Sequence, residues 1–534
     1  MKPQSGRGRK TGVAVLLALV AGAALGAQLS DADDLVTAGI ATPPPRNGPV
    51  AIRVAAALKA NPIPSGFLGL SIEYTALLPY AGTDAPTSVL VQLIRQLDPG
   101  QSPVLRFGGD TTDWSWVPVP GMAKPRGVHY VITPQWLDAA AGLVHALGAH
   151  VIFGVNLEAN RPAVAATEAT AFIDAVGLTS VEALEVGNEP EAYGFRGWYH
   201  TPAGTPVPGR RRSYSIRSYA REFSRFARVL PNVPLAGPAT GSNGWMAELP
   251  RLLSAAPALR VVTVHRYPLN HCAAPGTEHD PSLARLLAPA SSRGLAQSVA
   301  QAVSTAHAHG AELRVDELNS VACRGQAGIS DTFASALWVL DTLFNLAGVD
   351  VDGVNIHTLP ASVYHPFVLE RTATGWQWVV DPLYYGMLMF AQAAPPGSHL
   401  LSISGSVPER IRVWATRAAN GQTRIVLIND GSRRGRSIKL DIPGAQPPAA
   451  VTWLRAPSIA ATANITLGGQ SFGAGTQTGL LAGTPQLTTL VSDDHTYALR
   501  LPPASAALLT IPARSDDAAA TPSRRASGTS AHRP

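Results

Sequence analysis

The chain has 534 residues, of which 46% are hydrophobic and 15% are charged, and its formal net charge is +6. This length exceeds one ordinary domain, and the apolar content supports large buried cores. Several basic residues lie in the two termini, so the charge gives little support for a nucleic-acid partner. No Gly-rich phosphate loop follows a predicted strand, and no histidine cluster accompanies the two cysteines, so we predict neither a cofactor nor a metal site.

The first 26 residues have the pattern of a secretory signal peptide. Basic residues within Met1–Lys10 precede an apolar run from Val13 to about Leu25, and Ala24-Leu25-Gly26 offers small residues for cleavage. The run is short for a bilayer span, although an uncleaved anchor is the alternative. We therefore expect a secreted or cell-envelope-associated protein, with a flexible lead-in at 27–49 and a disordered tail at 514–534.

Between residues 50 and 397, apolar strands alternate with helical patterns. The predicted strands are 67–73, 103–110, 150–155, 183–189, 234–237, 260–265, 313–317 and 353–357. The predicted helices are 88–97, 134–147, 163–176, 215–229, 244–254, 294–309, 332–346 and 382–394. Eight repeats of strand and helix predict an α/β protein with a (β/α)₈ TIM barrel.

From about residue 398 to 513 the pattern changes to short β-rich runs separated by Gly, Pro and Asn. These runs predict a C-terminal antiparallel β-sandwich-like domain without a long helix. A further strand, at 50–58, precedes the barrel and is predicted to pair with this domain.

The two cysteines, Cys272 and Cys323, each follow a predicted strand tip by a few residues. In an exported protein, two such loop cysteines on neighbouring strands are placed to form a disulfide across the rim of the barrel. Two free buried thiols are the alternative.

Two glutamates end predicted barrel strands four and seven. Glu189 follows Asn188 and is followed at once by Pro190, and Glu317 lies 128 residues further on. Barrel active sites gather at the carboxyl ends of the strands, and a glycoside hydrolase needs two carboxyl groups. The spacing therefore indicates a retaining glycosidase with Glu189 as acid/base and Glu317 as nucleophile.

Four further side chains lie near predicted strand tips. Tyr267 could donate its hydroxyl to Glu317, and Arg106 could place a positive charge beside it. Glu73 and Asp110 lie where sugar hydroxyls would need acceptors. Each has a structural alternative. Tyr267 could be a packed tyrosine on the rim, Arg106 could form a structural ion pair, and the two carboxylates could have no contact with a substrate.

These residues resemble a known family. The tip Gly187-Asn188-Glu189-Pro190 is similar to the acid/base motif of the large clan of retaining (β/α)₈ glycosidases. The segment 317–325, together with Leu105-Arg106-Phe107-Gly108-Gly109 and His265-Arg266-Tyr267, resembles glycoside hydrolase family 79, the β-glucuronidase and heparanase-like group. The resemblance implies retaining hydrolysis of a β-glycoside by two glutamates.

The resemblance also assigns roles to the supporting residues. It implies that Asn188 holds the sugar 2-hydroxyl and that Tyr267 supports the nucleophile. It further implies that Glu73 and Asp110 reach hydroxyls of the terminal sugar, which makes a carbohydrate the expected partner.

One departure bears on the sugar. Several family members bind the uronic carboxylate with a Tyr-Gly-Gly segment after the nucleophile, whereas this chain has Ala322-Cys323-Arg324. Arg324 could pair with a carboxylate through two hydrogen bonds, or it could face solvent. The leading hypothesis is a β-glucuronidase. The alternatives are the same machinery on a neutral β-glycoside, and a non-catalytic carbohydrate-binding protein on a barrel fold.

Overall fold

The structure is a computed structural model that describes residues 49–82, 88–373, 375–445 and 448–513. The predicted signal peptide, nearly all of the predicted lead-in and the predicted tail lie outside the described residues. Within the described ranges, no helix is long and apolar enough to cross a membrane.

Eight parallel strands close into a barrel, which confirms the predicted fold. Barrel strands one to eight are Leu68–Glu73, Val104–Gly108, His150–Val155, Val181–Val186, Leu235–Thr240, Leu259–Arg266, Glu312–Leu318 and Gly353–Thr358. Each strand pairs with its neighbour in the chain, and strand eight pairs with strand one to close the ring. All six residues of strand one are buried, as expected for a parallel sheet covered by helices.

Helices surround the barrel. The described α-helices are Tyr74–Ala81, Ser88–Arg95, Pro134–Leu147, Pro162–Val176, Ile216–Ala227, Asn243–Ala247, Leu249–Ala255, Leu283–Leu286, Leu295–Ala308, Phe333–Gly348 and Pro382–Ala393. Short 3-10 helices occur at Asp110–Thr112, Leu178–Ser180 and Pro190–Ala192, and a π-helix occurs at Ala290–Gly294. The helix after strand two shows how sequence sets such boundaries. Thr133 caps it by accepting from the Trp136 N–H, and Gly148 ends it in a left-handed conformation.

The C-terminal domain is one ten-stranded sheet. Its order is Thr466–Leu467, Ala449–Arg455, Ser505–Ile511, Thr423–Asn429, Ile411–Arg417, His399–Ser404, Val50–Pro62, Arg436–Asp441 and Thr496–Leu501, with Thr488–Leu490 also on Ala449–Arg455. Strand Val50–Pro62 runs antiparallel to His399–Ser404 and parallel to Arg436–Asp441, so the chain enters this sheet before it enters the barrel. The predicted β-domain is confirmed as a mostly antiparallel sheet.

Strand Thr423–Asn429 shows how the sheet joins the barrel. Ile425 and Leu427 lie in the core of the C-terminal domain, whereas Val426 and Ile428 belong to the core that continues from the barrel and its helices. Alternate residues of a strand point to opposite faces, so both faces of this strand are buried. Each such side chain contributes about 1.5–3 kcal/mol by its burial.

Three features were not predicted correctly from the sequence. The helix Tyr74–Ala81 is apolar on all sides and carries Pro79, so it shows no helical periodicity. The hairpin of Phe367–Thr372 and Gly375–Val380 interrupts the last strand–helix repeat. The single helix predicted at 244–254 is two helices, because Pro250 lacks an N–H and is accommodated only in a first turn.

Short ladders connect loops at the strand ends. They are Ser115–Trp116 with Tyr130–Val131, Gly197–His200 with Pro206–Pro208, and Leu269–Asn270 with Val321–Ala322. The last ladder joins the loops after strands six and seven, next to the predicted disulfide.

Candidate active site

Glu317 lies on barrel strand seven, and its carboxylate is buried among hydrogen-bond donors and cations. The Tyr267 hydroxyl donates to Oε1 at 2.8 Å, and Nη1 of Arg106 donates to Oε2 at 3.0 Å. Nδ1 of His357 lies 3.3 Å from Oε1. Burial alone would raise the pKa of this carboxyl, but the charges of His357, His265 and Arg106 hold it well below its usual range. The carboxylate is therefore ionised at neutral pH, as a nucleophile requires.

Glu189 follows barrel strand four in a left-handed conformation, with φ at 44°. Such a backbone costs about 1–3 kcal/mol in a non-glycine residue and is typical of functional sites. Its N–H donates to the Ala239 carbonyl of strand five at 2.9 Å, which holds the strained turn in place. Oε1 lies 3.1 Å from Nδ1 of His265, and Oε2 accepts from Nη2 of Arg196 at 3.1 Å.

His265, on strand six, lies between the two glutamates. Its Nδ1 is 3.1 Å from Glu189 and 3.8 Å from Glu317, and its Nε2 is 3.8 Å from Asp316. Burial alone would lower the pKa of the imidazole, but Glu317, Asp316 and the hydrogen bond to Glu189 raise it to about 10. The ring is therefore a cation at neutral pH and donates Nδ1–H to Glu189.

The two carboxylates are close together. One oxygen of Glu189, one of Glu317 and a ring nitrogen of His265 all lie within 4.8 Å of one another. Retaining glycosidases hold their carboxyl groups about 5–5.5 Å apart and inverting ones about 6.5–9.5 Å apart, so the separation matches the retaining class. Elsewhere in the described ranges, no comparable group of metal ligands occurs. A metal ion fits poorly here, because Arg106 and the cationic His265 already face these carboxylates.

Arg106, on strand two, is fully buried and is the central cation of the site. It forms ion pairs with Glu185 at 2.7 Å, Asp316 at 2.9 Å and Glu317 at 3.0 Å. Burial would lower its pKa, but these carboxylates raise it well above the usual value. A Cβ on Gly108 would lie only 2.6 Å from Nε of Arg106, so the glycine leaves the space that the guanidinium occupies.

Arg106 also orients Asn188. Its Nη2 donates to Oδ1 of Asn188 at 2.8 Å, while the Asn188 N–H donates to Oδ2 of Asp113 at 3.0 Å. Asp113 in turn accepts from the Tyr193 hydroxyl at 2.6 Å. The predicted contact of Asn188 with a sugar 2-hydroxyl remains a prediction, but its side chain is held by the guanidinium that also binds Glu317.

Glu73 and Asp110 occupy different positions. The Glu73 carboxylate accepts the N–H groups of Asp110 at 3.2 Å and of Thr111 at 2.9 Å, so it holds the loop after strand two. Gly109, at φ 88°, has no side chain that would collide with this carboxylate. Asp110 is exposed and accepts from Arg196 at 2.6 Å. Contact of these two carboxylates with sugar hydroxyls remains a prediction.

Cys272 and Cys323 form a disulfide, as predicted, with Cα atoms 6.1 Å apart. It joins the loops after strands six and seven. The next residue, Arg324, is exposed, and its carbonyl accepts from the Val363 N–H at 2.8 Å. For the part of the chain that is described, no hydrogen bond or ion pair of the Arg324 guanidinium is recorded, and its role toward a substrate carboxylate remains a prediction.

The disulfide is expected to stabilise the protein. It closes a segment of 51 residues, and loop-closure entropy for that length predicts a gain of up to about 4 kcal/mol. A variant with both Cys272→Ser and Cys323→Ser should therefore unfold at lower urea concentration. The native protein should weigh two protons less than the reduced one, and free thiols titrating in the native protein would contradict the bond.

The Tyr267 hydroxyl is expected to contribute strongly to turnover. Removing one hydrogen bond to a charged group costs about 1.5–3 kcal/mol, so Tyr267→Phe should lower kcat/KM about 10- to 100-fold. Tyr364→Phe is the matched control, because both hydroxyls contact Nδ1 of His357, whereas Tyr267 also donates to the nucleophile. An equal loss in both variants would show that the Tyr267 bond to Glu317 has no special role.

Sequence reasoning missed several residues of the site. Arg196, Asp113 and Tyr364 lie in loops, where neither strand periodicity nor a strand tip marks them. His265 belongs to a segment that carries the family resemblance, but the sequence assigns it no role of its own. The sequence signal that could have marked Arg196 as a candidate site residue is its position seven residues after Glu189, beyond the proline that follows the strand.

One stretch of the C-terminal domain matches the model of a known family. Residues 413–508 match the model of the glycosyl hydrolase family 79 C-terminal beta domain. This stretch of the chain is therefore similar to the C-terminal domain of glycoside hydrolase family 79. This match confirms the resemblance noted in the sequence and supports a glycosidase. No curated protein sequence matches the chain.

Solved structures share the fold over most of this chain. A 4-O-α-L-rhamnosyl-β-D-glucuronidase from Fusarium oxysporum 12S superposes with a TM-score of 0.61 at 17% identity, covering 86% of this chain and 100% of that one. A family 51 arabinofuranosidase from Xanthomonas axonopodis pv. citri gives 0.60 at 14% identity, covering 87% and 99%. A bifunctional glucanase-xylanase from a metagenome library, CelM2, gives 0.58 at 15%, covering 88% and 100%. At these identities the comparison shows the fold alone.

Proposed function

We propose that the protein is a retaining β-glycoside hydrolase. The observation that carries the proposal is the separation of the carboxylates of Glu189 and Glu317, which lie within 4.8 Å at their nearest ligand atoms. In the first step Glu317 attacks the anomeric carbon and forms a glycosyl ester, while Glu189 gives its proton to the leaving oxygen. In the second step Glu189 takes a proton from water, which cleaves the ester and releases the sugar with retained configuration.

The surrounding side chains support both steps. The hydroxyl of Tyr267 and the guanidinium of Arg106 each hold one oxygen of Glu317, so the nucleophile is oriented before substrate binds. The cation of His265 lies between the two glutamates and offsets the repulsion of two nearby negative charges. Asn188, held by Arg106, would present its side-chain NH₂ to the sugar 2-hydroxyl.

For the sugar, we propose a β-glucuronide. The family 79 C-terminal domain supports this choice, and one structure of the same fold is a rhamnosyl-glucuronidase. Arg324 is the candidate partner of the uronic carboxylate. The second candidate is a neutral β-glycoside, because Ala322-Cys323-Arg324 stands where several family members have Tyr-Gly-Gly.

The test is a matched pair of substrates, an aryl β-glucuronide and an aryl β-glucoside, with Glu317→Gln as control. Cleavage of the glucuronide alone would support the proposal, and Arg324→Gln should then raise its KM. Cleavage of the glucoside alone would show a neutral sugar specificity. Cleavage of neither would contradict the assigned sugar.

We also propose that the protein is exported. The basic and apolar pattern of residues 1–26 supports this, and a disulfide is typical of oxidising compartments. Amino-terminal sequencing of protein recovered from the culture medium should begin near Ala27, and an intact Met1 on membrane-bound protein would contradict cleavage.

Turnover is expected to be greatest in mild acid. Burial and the nearby charge of Glu317 would raise the pKa of Glu189. The hydrogen bond and charge of His265, together with the charge of Arg196, outweigh them and lower this pKa below its usual value. A general acid with a lowered pKa loses its proton at lower pH, so kcat/KM should fall as pH rises toward neutrality. The lowered pKa of Glu317 keeps the nucleophile ionised in acid.

The measurement is a profile of kcat/KM from pH 3 to 9. The control is Glu189→Ala with an aryl substrate whose leaving group has a low pKa. Such a leaving group needs no acid, so the pH profile of this variant should lack the falling limb. A maximum at neutral or higher pH in the unaltered protein would contradict the assigned electrostatics.

A further inference from the structure

Arg196 lies in the loop between the 3-10 helix Pro190–Ala192 and the strand Gly197–His200. Its Nη1 donates to Asp110 at 2.6 Å and its Nη2 donates to Glu189 at 3.1 Å. The side chain is 49% exposed. Among the described residues, these two carboxylates are the recorded partners of its guanidinium, which has five N–H groups. The guanidinium therefore has donors left for a ligand.

The contacts of Glu189 define the side of the site on which Arg196 lies. Oε1 of Glu189 is directed to His265, which also lies 3.8 Å from Glu317, whereas Oε2 is directed to Arg196. Arg196 is thus on the side of the acid/base away from the nucleophile. In a retaining mechanism the sugar lies between the two carboxylates and the leaving group departs past the acid. Arg196 therefore borders the leaving group.

The proton on the acid changes what Arg196 faces. The first step needs Glu189 protonated, and in that state Arg196 loses one of its two anionic partners. Glu158, which lines the same narrow cleft, adds no charge there, because burial and the nearby Asp113 raise its pKa to about 9. A guanidinium with one carboxylate and unused donors favours a further anion.

More positive charge lies beside this loop. A Cβ on Gly194 would lie 2.7 Å from the Arg211 carbonyl oxygen and 3.1 Å from Cα of Arg212, so that segment packs directly against the Arg196 loop. Both arginines are exposed, and in the described ranges no carboxylate partner is recorded for either. The nearby Glu222 is already bound by Arg210 at 2.9 Å. The segment that packs against the Arg196 loop therefore carries two exposed arginines.

We propose that Arg196 is the centre of an anion-binding subsite for the leaving group, and that it selects leaving groups that carry a carboxylate or sulfate. The inference rests on the proposed hydrolase in one respect, which is the side of Glu189 on which the leaving group lies. It assigns recognition of the leaving group to a loop after strand four, separate from Arg324 after strand seven.

The test uses uncleavable sulfur-linked ligands, so binding is measured without turnover. The three probes are phenyl 1-thio-β-D-glucuronide, 4-carboxyphenyl 1-thio-β-D-glucuronide and 4-carboxyphenyl 1-thio-β-D-glucoside, titrated by calorimetry. In a chain with Glu189→Gln, which imitates the protonated acid at neutral pH, the carboxyphenyl glucuronide should bind about tenfold more tightly than the phenyl one, as one partly exposed charge-assisted bond allows. Arg196→Gln should abolish the difference, and Arg196→Lys should keep part of it.

Arg433→Gln is the matched control, since it removes the same charge from an exposed position in the C-terminal domain. It should leave the preference unchanged. A preference that survives Arg196→Gln would overturn the proposal, and so would the absence of a preference in the Glu189→Gln protein, including the absence of any binding. Loss of affinity for all three probes alike would show a structural role instead.

Hydrolysis of the oxygen-linked aryl glycosides is read separately. Turnover without a carboxyphenyl preference would contradict the subsite and leave the hydrolase standing. A preference that depends on Arg196, without turnover of any substrate, would support the subsite and contradict the hydrolase.

Discussion

Glu317→Gln is expected to lower kcat by a factor on the order of 10⁴ or more, the size of loss seen when a covalent nucleophile is removed. An amide cannot attack the anomeric carbon to form the glycosyl ester. The two side chains have nearly the same shape, so the contacts with Tyr267 and Arg106 change in charge rather than in space. Substrate affinity should therefore persist while turnover is lost.

The matched control for this substitution is Glu191→Gln. Glu191 lies near Glu189, and its Oε1 accepts from the Gly241 N–H at 2.7 Å, outside the contacts of the nucleophile. It should lose little activity. If the unaltered protein binds glycosides but does not hydrolyse them, that result would support the hypothesis of a non-catalytic carbohydrate-binding protein. Substantial turnover remaining in Glu317→Gln would contradict the role of this residue.

Arg106→Met is expected to cost about 3–5 kcal/mol of unfolding free energy, because breaking a buried ion pair leaves its partner charge uncompensated. Here three carboxylates, Glu185, Asp316 and Glu317, lie within 3.0 Å of the guanidinium. The side chains of Glu185 and Asp316 are fully buried. Without this guanidinium, the repulsion among the three carboxylates is opposed by the more distant charge of His265, and the nucleophile also loses a donor. Activity should be lost together with stability.

Urea unfolding measures this effect, with Arg106→Lys as the control that keeps the charge. Removing the cation raises the pKa values of the carboxylates, which then take up protons in acid. The destabilisation by Arg106→Met should therefore shrink as pH falls, while Arg106→Lys should be milder throughout. A methionine variant as stable as the unaltered protein at neutral pH would contradict the assigned role of Arg106.

The barrel could be predicted because its signals are local. Strand Val181–Val186 is a short apolar run stopped by Pro190, and helix Pro134–Leu147 has a cap, an apolar face and a terminal glycine. Such patterns repeat eight times, and their order implies the fold. The position of Glu189 and Glu317 at one end of the barrel follows from the same argument, since parallel strands place their carboxyl ends on one face.

The rest of the site depends on contacts between distant segments. Arg196 reaches Asp110, which is 86 residues away, and no spacing rule relates the two. Asp113 accepts N–H groups from Leu157 and Asn188, so its role exists only once three loops are folded together. The pKa values of the site have the same origin. His265, on strand six, is a cation because strand seven and the turn after strand four bring carboxylates to it.

Covalent trapping tests the central claim most directly. An activated 2-deoxy-2-fluoro β-glucuronide, and its glucoside counterpart, should form a glycosyl ester that is hydrolysed slowly enough to isolate. Digestion and mass spectrometry should then find the added sugar on the peptide that contains Glu317, and the product of a normal substrate should first appear as the β-anomer. A sugar attached to another residue, or a product that first appears as the α-anomer, would contradict a retaining mechanism with Glu317 as nucleophile.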